Sequence, residues 1–128
     1  MAQPHSPDLV ERLNNEIMLA GSQLNLYLSA QGFRGATGAV EQSSKESEQG
    51  EILHLGFLQI YHQKGLSVPI HIFAEVTFLE GEQQIIYYYK ISPKHQELPA
   101  CVGIIRAFMR SKYNYFNELN GKGEIVRR

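Results

Sequence analysis

One cysteine, Cys101, is all the sequence holds, so no disulfide closes within the chain and a disulfide-stapled secreted scaffold is excluded. No run of about 18 uninterrupted apolar residues occurs, which argues against a membrane-spanning helix. Met1 to Asp8 carry no basic stretch followed by an apolar one, so no export signal is expected and a cytoplasmic, reducing setting fits best. Several chemical signatures are also missing: the Gly-x-Ser-x-Gly nucleophile elbow, the Gly-x-x-x-x-Gly-Lys-Ser/Thr phosphate loop and the Cys-x-x-Cys pair. Gly32, Gly35 and Gly38 lack the spacing of a dinucleotide fingerprint and read as a turn.

What is present suits one ordinary globular core. The 128 residues make a single domain, with 43% hydrophobic and 20% charged residues. The net charge of −1 conceals a gradient: residues 1–53 hold three Lys/Arg against seven Asp/Glu, whereas residues 98–128 hold six against two. A basic end can meet nucleic acid or an acidic partner, and in a small domain it can equally be screened by the acidic end.

The pattern along the chain predicts an α+β fold. Ser6-Pro7-Asp8 has the hydroxyl, proline and carboxylate that favour a helix start, and Leu9, Leu13, Ile17, Ala20, Leu24 and Tyr27 or Leu28 then draw one apolar stripe to about Gly32. Residues of about 35–50 are small and polar and are expected to form a flexible loop, helical in part if Ser43 and Glu46 make a capping box. Residues 51–61 are apolar on both projections, and the glycines at positions 50 and 56 tilt them towards a strand.

From Val68 the period becomes two. Val68, Ile70, Ile72, Ala74, Val76 and Phe78 alternate with Pro69, His71, Phe73, Glu75 and Thr77, as in a strand with one buried face. A turn at Gly81-Glu82 would pair Phe78 with Ile85, Val76 with Tyr87, Ala74 with Tyr89 and Ile72 with Ile91. The other face would then pair Thr77 with Ile86, Glu75 with Tyr88 and Phe73 with Lys90. Ala100, Ile104, Phe108, Met109, Tyr113 and Phe116 follow at helical spacing. The expected architecture is a long N-terminal helix, a two- or three-stranded antiparallel meander, and a C-terminal helix packed on the sheet.

Three functions follow from these residues. The semi-apolar second face of the hairpin suits a protein partner or self-association, with Phe73, Ile86, Tyr88 and Leu79 at the centre of the contact and Glu75 and Lys90 at its rim. That describes a non-catalytic binding protein of adaptor, chaperone, inhibitor or immunity type, needing no cofactor. The alternative is a metal- or small-ligand-binding enzyme with a pocket between helix and sheet and Glu51, His54 or His71 as acid, base or ligand. Glu51 and His54 have the Glu-x-x-His spacing of a metal site if their segment is helical, with His62 and His71 as further ligands, and are ordinary polar positions if it is not. Arg106, Arg110 and Lys112, with the tyrosines at 87 to 89, offer a nucleic-acid interface, thinned by the near-zero net charge. Cys101 is a thiol at a helix start or, more commonly, a small buried residue.

Two families share parts of the pattern. Leu13-Asn14, Ile17, Leu26-Tyr27-Leu28-Ser29, Glu51, His54, Gly65 and Val68 resemble the first half of a ferritin-like helical pair, which would imply iron ligation. The pattern departs at Ala20, where that family places an iron ligand, and in the alternating hairpin after Val68. His54, Gly56-Phe57-Leu58 and Glu75-Val76-Thr77-Phe78-Leu79 are similar to hotdog-fold thioesterases, with too short a stretch between them for that family's central helix and following strand. Neither family's site is carried onto this chain.

Overall fold

Two 14-residue strands form the spine of the protein. The computed structural model describes residues 7–48, 50–79, 81–92 and 98–126. Its elements are α1 (Pro7–Ala30), β1 (Arg34–Thr37), β2 (Glu41–Ser47), β3 (Gly50–Gln63), β4 (Leu66–Leu79), β5 (Glu82–Ile91), α2 (Pro99–Lys112) and β6 (Phe116–Leu119). All six strands join one mixed sheet in the order β1-β3-β4-β5-β6, with β2 beside β1 along the same edge of β3. The fold is therefore α+β with both expected helices, but it has six strands where a two- or three-stranded meander was expected.

The additional strands come from two places. The polar segment at about 35–50 is neither loop nor helix: Arg34–Thr37 pairs with Gln59–His62, and Glu41–Ser47 pairs with Gly50–Gly56, both antiparallel. Ser43 and Glu46 thus lie in a strand and make no capping box. Every residue of β2 is exposed, and its charged and polar side chains suit an edge that must not recruit further strands. After α2 the chain returns as β6, parallel to β5, with the helix as the crossover. Beyond β6 a single antiparallel bridge joins Ile125 to Leu119.

The hairpin is present two residues out of the expected register. Leu79 pairs with Glu82, and Gly81, at φ 81°, lies in the turn one position later than expected. A left-handed φ suits glycine, so its position anchors the turn. Val76 therefore meets Ile85, Ala74 meets Tyr87 and Phe73 meets Tyr88. A slip of two leaves every side chain on its predicted face, because the side-chain period is also two.

One face of the sheet builds the core. Leu53, Leu55, Phe57 and Tyr61 of β3, Val68 to Val76 of β4 at alternate positions, and Tyr89 and Ile91 of β5 are buried there. Against them lie Leu9, Leu13, Ile17, Ala20, Leu24 and Leu28 of α1, the predicted stripe with Leu28 in place of the exposed Tyr27. From α2 the buried residues are Cys101, Val102, Ile105 and Met109. Ile104 and Phe108, expected at its centre, pack at the margin instead. The helix also stops at Lys112, so Phe116 enters the core from β6 and not from a helix.

Two buried polar side chains stitch these layers. Gln59 donates to the Gly21 carbonyl of α1 at 3.1 Å and to the Tyr61 hydroxyl, while Thr37 of β1 donates to it at 3.2 Å. Glu118 accepts from the Tyr89 hydroxyl at 3.0 Å and from Arg106 Nε at 2.9 Å. Each satisfies a tyrosine hydroxyl whose burial without a partner would be costly.

Candidate functional site

Both helices pack on the core face, so side chains on the opposite side of β3, β4 and β5 project away from them. The registers arrange this outer face in rows. Ser43, His54, Glu75 and Ile86 form one, Glu41, Gly56, Phe73 and Tyr88 the next, and Leu58, His71 and Lys90 a third.

Gly56 organises the centre. A Cβ there would collide with Cβ of Phe73 and come within 3.0 Å of His71 Nε2, so only glycine leaves room for the neighbouring side chains. The Phe73 ring stacks against two imidazoles that also lie 5.5 Å from each other, with its centroid 4.7 Å from His54 and 4.6 Å from His71, and it stacks on Tyr88 at 5.1 Å. Each such aromatic contact contributes about 0.5–1.5 kcal/mol beyond area burial. Phe73 is consequently only 6% exposed although neither α1 nor α2 covers it. Leu58, 45% exposed, continues the apolar surface on β3.

Burial and neighbouring charge act on the ionisable groups of this cluster. His71 has its pKa lowered, chiefly by burial and then by the nearby His54 and Lys90, with Glu41 opposing. Its imidazole is therefore neutral at pH 7. Glu75 lies 3.4 Å from His54 Nδ1, and that hydrogen bond, outweighing burial, holds its carboxyl below the usual range. Burial, followed by the charge of Glu75, raises the Tyr88 hydroxyl.

Phe73, Glu75, Ile86, Tyr88 and Lys90 do converge on this face, with Phe73 beside Tyr88 and Glu75 beside Ile86. Leu79 ends β4, and its side chain lies outside the described residues. Sequence reasoning missed Leu58, Ile52 and His54 as members of the same surface. Their even numbering through β3 was the available signal, usable only once that segment is known to be a strand.

The other candidates are drawn apart. Glu51 and His54 lie in β3, where a spacing of three sends them to opposite faces, so the helical metal pair does not form. The ferritin-like echo falls with it, since that segment pairs on both sides as a strand. Among the described residues no group of three or more His, Cys, Asp or Glu side chains could hold a metal. Arg106 and Arg110 turn towards Glu118, at 2.9 and 3.7 Å, which offsets part of the expected basic patch, and Lys112 is exposed at the end of α2. Cys101 is fully buried, its thiol pushed up to about 11 by desolvation, which is the behaviour of an inert core residue. No described helix is long and apolar enough to cross a membrane.

Comparison with family models, with curated proteins and with solved structures finds no match for this chain.

Proposed function

We propose that the chain is a non-catalytic binding protein that docks another protein on the outer face of its sheet. The observation that carries this reading is the aromatic stack of His54, Phe73, His71 and Tyr88 on a face with neither helix over it. Interface centres are rich in aromatic residues, which bring large rigid contact area at low entropic cost, and charged groups collect at the rim. Ile86, Tyr88 and Phe73 fit the centre, and Glu75 and Lys90 the rim. A cytoplasmic setting suits a chain whose one thiol is buried.

The test follows from the burial. Phe73 fills the space over Gly56, so its replacement would confuse folding with binding, whereas Tyr88 and Ile86 are half-buried at the open side of the stack. The double variant Tyr88→Ser/Ile86→Ser is expected to keep the wild-type circular dichroism and lose the wild type's partner in affinity capture, or its self-association in sedimentation. Unchanged association by the folded double variant would overturn the reading.

A further inference from the structure

The outer face is not flat. Beside the link from β1 to β2, a trough of about 660 Å³ opens over Gly56, Leu58, Pro69, His71 and Lys90, with Glu41 on its β2 side. That volume lies in the range of about 300–1,000 Å³ usual for small-ligand sites. Its floor is set by the same close approach that demands glycine at 56, with the His71 imidazole leaning over the notch. Leu58 and Pro69 line it with apolar surface.

Charge decides what suits it. Lys90 and Glu41 stand at opposite sides of the trough, and among the described residues neither makes an ion pair within 4.0 Å. A ligand with one charge would be attracted by one side and repelled by the other. A ligand with a positive and a negative end satisfies both. The spacing restricts the length: β2 and β5 are separated by β3 and β4, three steps that amount to about 14 Å. An extended tripeptide spans about 10 Å, and the two long side chains close the remainder.

We infer that this trough binds a short apolar peptide with free ends, its carboxylate against Lys90, its ammonium against Glu41, and its central side chain on Leu58 and Pro69. His71, neutral at pH 7, can donate to or accept from the peptide backbone. This site shares His71 and Lys90 with the docking face but uses neither Tyr88 nor Ile86, so it does not rest on that reading.

The experiment titrates the full chain with the tripeptide Ala-Leu-Ala, its N-acetyl form and its C-amide form, following backbone amide shifts. The free peptide should saturate shifts at Gly38, Gly56, Leu58 and His71, and each capped form should bind about tenfold more weakly, the equivalent of about 1.4 kcal/mol. In Glu41→Gln the acetylated and free peptides should bind alike, and in Lys90→Met the amidated and free peptides should bind alike. The same spectra report whether each variant is folded. Equal binding of capped and free peptides by the wild type, shifts confined to another surface, or no saturation by 10 mM, on the order of a very weak complex, would overturn the inference. Tyr88→Ser should leave the titration unchanged while it disrupts protein docking, so the two readings fail separately.

Discussion

The two faces of this sheet are built from the same strands and differ in what holds them. On the inner face Ile72, Ala74 and Val76 are wholly buried beneath α1 and α2, and Gln59 and Glu118 are each bonded to a neighbouring element, while among the described residues the buried side-chain oxygens of Asn14 and Asn25 on α1 have no hydrogen-bond partner. On the outer face Phe73 is buried by its own neighbours, two imidazoles and a phenol, with charges at the margin. The first is a core enclosed by packing from two helices. The second is a surface assembled side chain by side chain, and such a surface can exchange its neighbours for those of a partner.

The contrast breaks most sharply on large-to-small substitution. Ile72→Ala should cost about 2–5 kcal/mol in urea unfolding, because a fully enclosed side chain leaves a cavity behind. Tyr88→Ser on the neighbouring strand should cost under about 1.5 kcal/mol, the value of its stacking. Equal losses would mean that the outer face is as much a core as the inner.

Gly56→Ala should come next, at about 1–3 kcal/mol, because the added methyl must displace Phe73 on the outer face while its strand is held on both sides. The loss should be accompanied by reduced near-ultraviolet circular dichroism from the aromatic stack. A neutral substitution there would remove the notch as the organiser of that face.

The smallest effect concerns acid. The folded-state pKa of His71 is below its ordinary 6.5, so the unfolded chain binds more protons as pH falls from that value, and stability decreases. Glu75 is held below 4.5, and its contribution, complete above that value, is lost only as pH falls further through the lowered one. Thermal melts should therefore show a first decline below pH 6.5 that His71→Gln abolishes, and a second at more acid pH that Glu75→Gln abolishes. A single decline untouched by either variant would place the acid sensitivity outside the outer face.

Much of this architecture was legible because it rests on local periodicity. The stripe Leu9, Leu13, Ile17, Ala20, Leu24 and Leu28 is one face of a helix wherever that helix packs. The alternation from Val68 likewise assigned inner and outer residues before any register was known, and it survived a register error of two. Phe73, Glu75, Ile86, Tyr88 and Lys90 were found together for this reason. Their arrangement around Gly56 was not legible, since a glycine reveals its close approach only when the opposing strand is in place.

By itself, then, the sequence determined the helix, the hairpin, which residues face inward, and the exclusion of internal disulfides, all of which depend on residue type and spacing along one segment. Only the tertiary structure decided that Glu41–Ser47, polar throughout, becomes a strand, because its backbone groups find partners on the edge of β3. It alone decided that Glu51 and His54 part, that Arg106 turns to Glu118, and that a cation and an anion face each other across one trough. Those outcomes are pairings between distant segments, and nothing in the spacing of either segment alone encodes them.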